Sequence, residues 1–151
     1  MENSILITEN NFQKAREKIK QNKNKKIVFS SEDDELNRKI LEKEKIEILL
    51  INQSKRKDFQ KQRNSGFNHI LAKIAKKNKI IIGINLDEII ESKPKEKTEI
   101  LARVKQNIKL CAKNKILMRF VTFKKINQRN IYDLKALGLI LQMPTWMTKQ
   151  L

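Results

Sequence analysis

The feature that most constrains this chain is a rhythm: short apolar runs rich in Ile, Leu and Val alternate five times with longer segments of helical spacing. The runs are "SILIT", "KIVFS", "IEILLIN", "KIIIGINL" and "ILMRFVTF". Each is followed by a stretch whose apolar residues recur every three or four positions, the mark of an amphipathic helix. Strands that alternate with helices imply a parallel sheet joined by right-handed crossovers. A closed eightfold barrel usually takes ~250 residues, and this chain has 151. Five β-α units therefore predict an α/β fold that is either a partial TIM-like barrel or an open parallel sheet. Both leave sheet edges that need cover, with Ile5–Ile7 the candidate edge and a partner protein the candidate cover.

The spacing predicts helices over 10–22, 30–43, 65–78, 97–114 and 133–142. Ser31 stands where an N-cap belongs, with acidic residues in the turn after it. Ser65 and Gly66 are expected to open the third helix, whose apolar stripe reads Phe67, Ile70, Leu71, Ile74 and Ala75. At 100° per residue His69, Lys73 and Lys76 fall on the opposite side, with Lys77 nearby. In the fourth helix Leu101, Val104, Ile108 and Cys111 share a face, so Cys111 is expected in the core, and Arg103 and Asn107 are expected to point outward. No repeat or linker divides the chain, so residues 1–151 are read as one domain with a short tail over 144–151. Trp146 and Met147 in that tail are expected to pack on the domain or on a partner.

Charge carries the functional signal. Lys and Arg number 34 against 17 Asp and Glu, a formal net charge of +17, and such an excess suggests a polyanionic partner. Codon usage rich in A and T would also raise Lys, Asn and Ile, but it would not segregate the signs. Between Ile100 and Tyr132 there is no acidic residue, while Arg103, Lys105, Lys109, Lys113, Lys115, Arg119, Lys124, Lys125 and Arg129 all occur there. Acidic residues gather instead in Glu32–Glu47.

Several chemistries are excluded by what the chain lacks. It has one histidine, His69, and one cysteine, Cys111, too few for a closed Cys/His zinc site or an internal disulfide. No Walker loop, dinucleotide fingerprint or nucleophile elbow occurs. No apolar run approaches the ~18–20 residues of a membrane span, and residues 1–20 hold no signal-type apolar stretch. The expected location is the cytoplasm. Asp87 and Glu88 follow the fourth strand, at the face where such folds place chemistry. They are the only seed for a carboxylate magnesium site, and a second converging carboxylate pair would be its signature. The competing reading is that Asp87 caps the turn that follows.

The segment "SGFNHILAKIAKKNKIIIGINL" followed by "ILARVKQNIKLCAKNKILMRFVT" resembles the archaeal and eukaryal ribonuclease P protein component 3 family. "KIVFSSEDDELNRKILEKEKIEILL" and "YDLKALGLILQM" fit the same family in the same order, so the resemblance runs from about Ile5 to Met143. The chain departs from the family in three ways. It looks shortened at its N-terminus, Phe123 and Lys124 replace small residues after the fifth strand, and Ile131 stands where a proline is usual.

The resemblance implies a barrel related to metal-dependent phosphoesterase (PHP) barrels, without their histidine-rich metal site. It implies a subunit that leaves cleavage of precursor tRNA to the ribonuclease P RNA and its Mg2+, binds no cofactor or metal itself, and pairs with a small α/β protein subunit. Taken with the charge pattern, it makes His69, Lys73, Lys76, Lys77, Arg103, Lys124, Lys125 and Arg129 candidate RNA contacts. The rival expectations are a free-standing magnesium nuclease on a reduced barrel and a generic basic RNA-binding protein.

Overall fold

A computed structural model describes residues 3–151. The five expected strands are present as β1 (Ser4–Thr8), β2 (Lys26–Ser30), β3 (Ile48–Ile51), β4 (Ile81–Asn85) and β5 (Met118–Val121). They pair in chain order, β1-β2-β3-β4-β5, every pair parallel. Helices α1 (Phe12–Gln21), α2 (Asp34–Lys43), α3 (His69–Asn78) and α5 (Pro94–Lys113) form the successive crossovers, and a short α4 (Leu86–Glu91) precedes α5. After β5 come a 3-10 turn (Lys125–Asn127), α6 (Ile131–Ile140) and α7 (Thr145–Thr148).

Alternation along the strands divides the sheet into two apolar layers. Ile27 and Phe29, Leu49 and Ile51, Ile82 and Ile84, and Met118 face the helices and join Ala15, Ile40, Leu71, Val104 and Cys111 in the main core. The alternate residues Val28, Ile48, Leu50 and Val121 form a second cluster made of strand residues alone, yet each is at most 3% exposed. Burial with no helix in the cluster follows from curvature, since strands that curl bring their inner side chains against one another. Gly83 lies on this inner face, where a Cβ would stand 2.9 Å from Ile48 Cγ2 and 3.0 Å from Leu50 Cδ1. Strand order and curvature together make an unclosed TIM-like barrel. β1 and β5 are its free edges, and Leu6 on β1 is 37% exposed.

Local chemistry moves several helix boundaries from their expected places. The cap of α2 is Asp33, whose carboxylate accepts from the Glu35 N–H; Ser31 is buried and its Oγ accepts from the Asp33 N–H. α3 begins at His69 and not at Ser65, because Gly66 takes a left-handed φ of 69° and Asn68 caps the helix by accepting from the Ile70 and Leu71 N–H groups. α6 starts at Ile131, two residues before its expected start, where Asn130 caps it through the Asp133 N–H. The tail packs as expected: Met147 is fully buried and the Lys115 ammonium lies 5.3 Å from the Trp146 ring centroid. Cys111 is also fully buried, and burial pushes its thiol up to about 12.

Candidate nucleic-acid interface

α3 buries Leu71, Ala72 and Ala75, and this narrow apolar face turns His69, Lys73, Lys76 and Lys77 to solvent. The expected stripe was too wide by one residue: Ile70 is 47% exposed and lines a separate slot between α3, α2 and the loop before α3. His69 opens onto a groove between α3 and α5, lined also by Asn68, Gln106, Lys109 and Lys113. Lys105, Lys109 and Lys113 recur every four residues along α5, so they form one exposed row. Farther down, the Lys76 ammonium donates to the Lys115 carbonyl over 2.9 Å and ties α3 to the chain entering β5. The groove therefore carries the cations Lys109 and Lys113 on its α5 wall and His69 on its α3 wall. Lys109 and Lys113 were legible only as members of the acid-free run, since nothing local in the sequence pairs them with α3.

Arg103, expected on the outward side of α5, is instead 3% exposed. Its face of the helix is covered by residues 52–68, the loop between β3 and α3. Its guanidinium donates to the carbonyls of Gln53 and Arg56 and to the Asp58 carboxylate, each at 3.0 Å. That ion pair, with the Asn64 N–H, holds the Asp58 carboxyl below its usual range. Asn107 is buried beside it and donates to the Ser65 carbonyl, which also accepts from Gln53. Arg103 and Asn107 are thus the latch of a loop. All the donors of Arg103 that could meet a phosphate point into the protein.

The loop after β5 is held by carboxylates. Asp87, in the first turn of α4, accepts from the Thr122 hydroxyl at 2.5 Å, the Asn127 amide at 2.8 Å and the Phe123 N–H at 3.2 Å. Burial opposes ionisation of Asp87, but these donors outweigh it and hold the carboxyl below its ordinary value. Glu91 takes the Lys124 ammonium at 2.7 and 2.8 Å and a second bond from Asn127. That contact lowers Glu91 and raises Lys124. Of the three cations expected here, Lys124 is neutralised by its partner. Lys125 is exposed, and Arg129 is exposed with Nη1 donating to carbonyls of its own loop.

Glu88 points away from Asp87 and accepts from Ser54 Oγ and the N–H groups of Gln53 and Ser54. Asp87 does not cap its own turn; Asn85 does. The two carboxylates that a nuclease would need diverge to pin different loops. Among the described residues no group of three or more His, Cys, Asp or Glu side chains is placed to share a metal ion, and no helix is long and apolar enough to cross a membrane.

No protein-family model matches the chain. Among curated proteins it is similar to ribonuclease P protein component 3 of Methanocaldococcus jannaschii, 26% identical over 149 residues that cover 96% of this chain and 62% of the relative. It is likewise similar to the protein of that name from Methanococcus maripaludis, 27% identical over 111 residues, 72% of this chain and 45% of the relative. The fold matches a chain in a cryo-EM structure of archaeal ribonuclease P with mature tRNA. That match has a TM-score of 0.79 and 23% identity, and covers 97% of this chain and 62% of that one. The chain thus spans about half to three fifths of the length of these relatives. By sequence it is a homologue of archaeal ribonuclease P protein component 3.

Proposed function

We propose that the chain serves as a protein subunit of ribonuclease P, binding and stabilising the catalytic RNA for 5′ maturation of precursor tRNA in the cytoplasm. Cleavage in this reading belongs to the RNA and its Mg2+, and a small α/β protein subunit is the heterodimer partner. The observation that carries the proposal is the pairing of homology with geometry. A chain similar to component 3 places His69, Lys109 and Lys113 along one groove, with Lys73 exposed on α3 and Lys125 and Arg129 exposed on a separate loop. Folded RNA is recognised largely through backbone and shape, and cations spread over two sites suit phosphates more than base edges. Binding by phosphate neutralisation releases counterions, so affinity falls steeply with salt.

Reconstitution with the cognate RNA and candidate subunits tests the reading. Precursor tRNA cleavage is expected to rise when the chain is added, and to fall again with Lys73→Glu/Lys109→Glu/Lys113→Glu or Lys125→Glu/Arg129→Glu. No effect of the chain on cleavage or assembly would sink the proposal. Equal affinity for unrelated RNAs of the same size would reduce it to generic RNA binding. Cleavage by the protein alone with Mg2+, lost in Asp87→Ala, would favour the nuclease.

A further inference from the structure

The loop over 52–68 does more than cover Arg103. Phe59 is the only apolar residue between Ile51 and Phe67, and it is 62% exposed. It is the first residue of a tight turn closed by two backbone bonds, Phe59 N–H to the Gln62 carbonyl at 2.8 Å and Gln62 N–H to the Phe59 carbonyl at 3.4 Å. Both approaches to the turn are fixed. Arg56 grips the Asp34 carboxylate with two bonds of 2.9 Å, Asp58 is held by Arg103, and the Asn64 N–H returns to Asp58 at 2.9 Å. The ring is therefore displayed on a pre-ordered support, which removes most of the entropic cost of engaging a ligand.

The ring borders a slot lined also by Ile70 at the start of α3, Gly66 and Asn68. Lys55, Lys57, Lys61 and Arg63 of the same loop are all exposed, and its one carboxylate, Asp58, is already engaged. The slot is lined on α2 by Asp34, spent on Arg56, by Glu35 and by Arg38, which pairs with Glu42, and on the loop by Arg63. Phosphates are thus favoured on the loop side, beside the lysines and Arg63, and disfavoured on the α2 side, where Arg38 is already paired and Glu35 is acidic. A flat, neutral, aromatic group attached to a polyanion meets both conditions, whereas a protein partner would need a wider apolar surface than one phenyl ring and Ile70.

We propose that this slot holds an unpaired RNA base stacked on Phe59, with the neighbouring phosphates held by Lys57, Lys61 and Arg63. This rests on the RNA-binding reading above and names a site within it. Base-on-aromatic stacking tolerates any base and needs a strand that is not paired.

The test compares a labelled single strand of about 12 nucleotides with a blunt duplex of the same phosphate number, by fluorescence anisotropy on the full chain. Phe59→Ala is expected to weaken single-strand binding about 5- to 100-fold, leaving duplex affinity and both salt slopes unchanged. Phe59→Trp is expected to restore it, with indole fluorescence quenched on binding relative to the wild-type signal from Trp146. Wild-type affinities for both RNAs in Phe59→Ala would overturn the slot while leaving RNA binding standing. Equal losses on both RNAs would overturn stacking in favour of a general role for the loop. A wild-type chain that bound neither RNA would remove the underlying reading as well.

Discussion

Replacing Arg103 by Met separates a latch from a phosphate contact. In the structure its guanidinium satisfies two carbonyls inside the protein, those of Gln53 and Arg56. A hydrogen bond to a charged donor is worth about 1.5–3 kcal/mol, so two of them set an upper range of about 3–6 kcal/mol. The Asp58 contact adds little, because that carboxylate is open to solvent and screened. The loop has a way out: it buries no apolar side chain between Ile51 and Phe67, so it can open locally and let water reach the carbonyls. Local opening limits the global loss to about 2–3 kcal/mol, or about 4–12 °C in Tm for a chain of this size. Amide exchange should show loss of protection at Phe59 and Asn64, with little change in β2 and β3. Arg103→Lys should recover only part of the stability, since an ammonium cannot reach three divergent acceptors. The salt dependence of RNA binding should keep its slope, because no exposed cation is lost. A Tm within about 1 °C of wild type, with a log–log salt slope smaller by about 0.7–0.9, would refute the latch and restore Arg103 to the RNA surface.

Gly83→Ala should cost about 1–3 kcal/mol by overpacking, read in urea denaturation, because a methyl there meets Ile48 and the Leu50 backbone at 2.9–3.3 Å. Asp87 titrates below its ordinary value in the folded chain, so the unfolded state takes up its proton first. Its contribution is full above the normal carboxylate range and fades as pH falls through and below it. Asp87→Asn should accordingly be less stable at neutral pH and approach wild type as pH falls below the normal carboxylate range. Cys111 should resist iodoacetamide at pH 8 in the native state and react freely in denaturant; rapid native alkylation would contradict its burial.

The strands were legible because they are buried on both faces and read as unbroken Ile, Leu and Val runs, such as Ile48–Ile51. The outward set on α3 was legible because one helix carries it at regular spacing. Arg103 was not. A helical wheel shows which residues share a face, but not that a loop fifty positions earlier in sequence will fold back over that face. Asn107 was misplaced with it. Phe59 escaped for the opposite reason: an isolated aromatic in a polar loop has no periodicity, and only the turn that presents it marks it out. The start of α3 depended on the left-handed backbone of Gly66 and the side chain of Asn68, while Ser65, a good cap by residue type, was needed beneath the loop.

Strand order that follows chain order has a kinetic meaning. Each β-α unit meets its sheet partners only in the units immediately before and after it, so no strand must wait for a remote stretch of chain to arrive. Such a chain assembles as a zipper. Loop-closure entropy is incurred in short instalments, and interior units are doubly supported while terminal ones are supported from one side. Amide protection should decline from β3 toward β1 and β5, making the two free edges the parts of the sheet that can be remodelled at least cost when another molecule docks there.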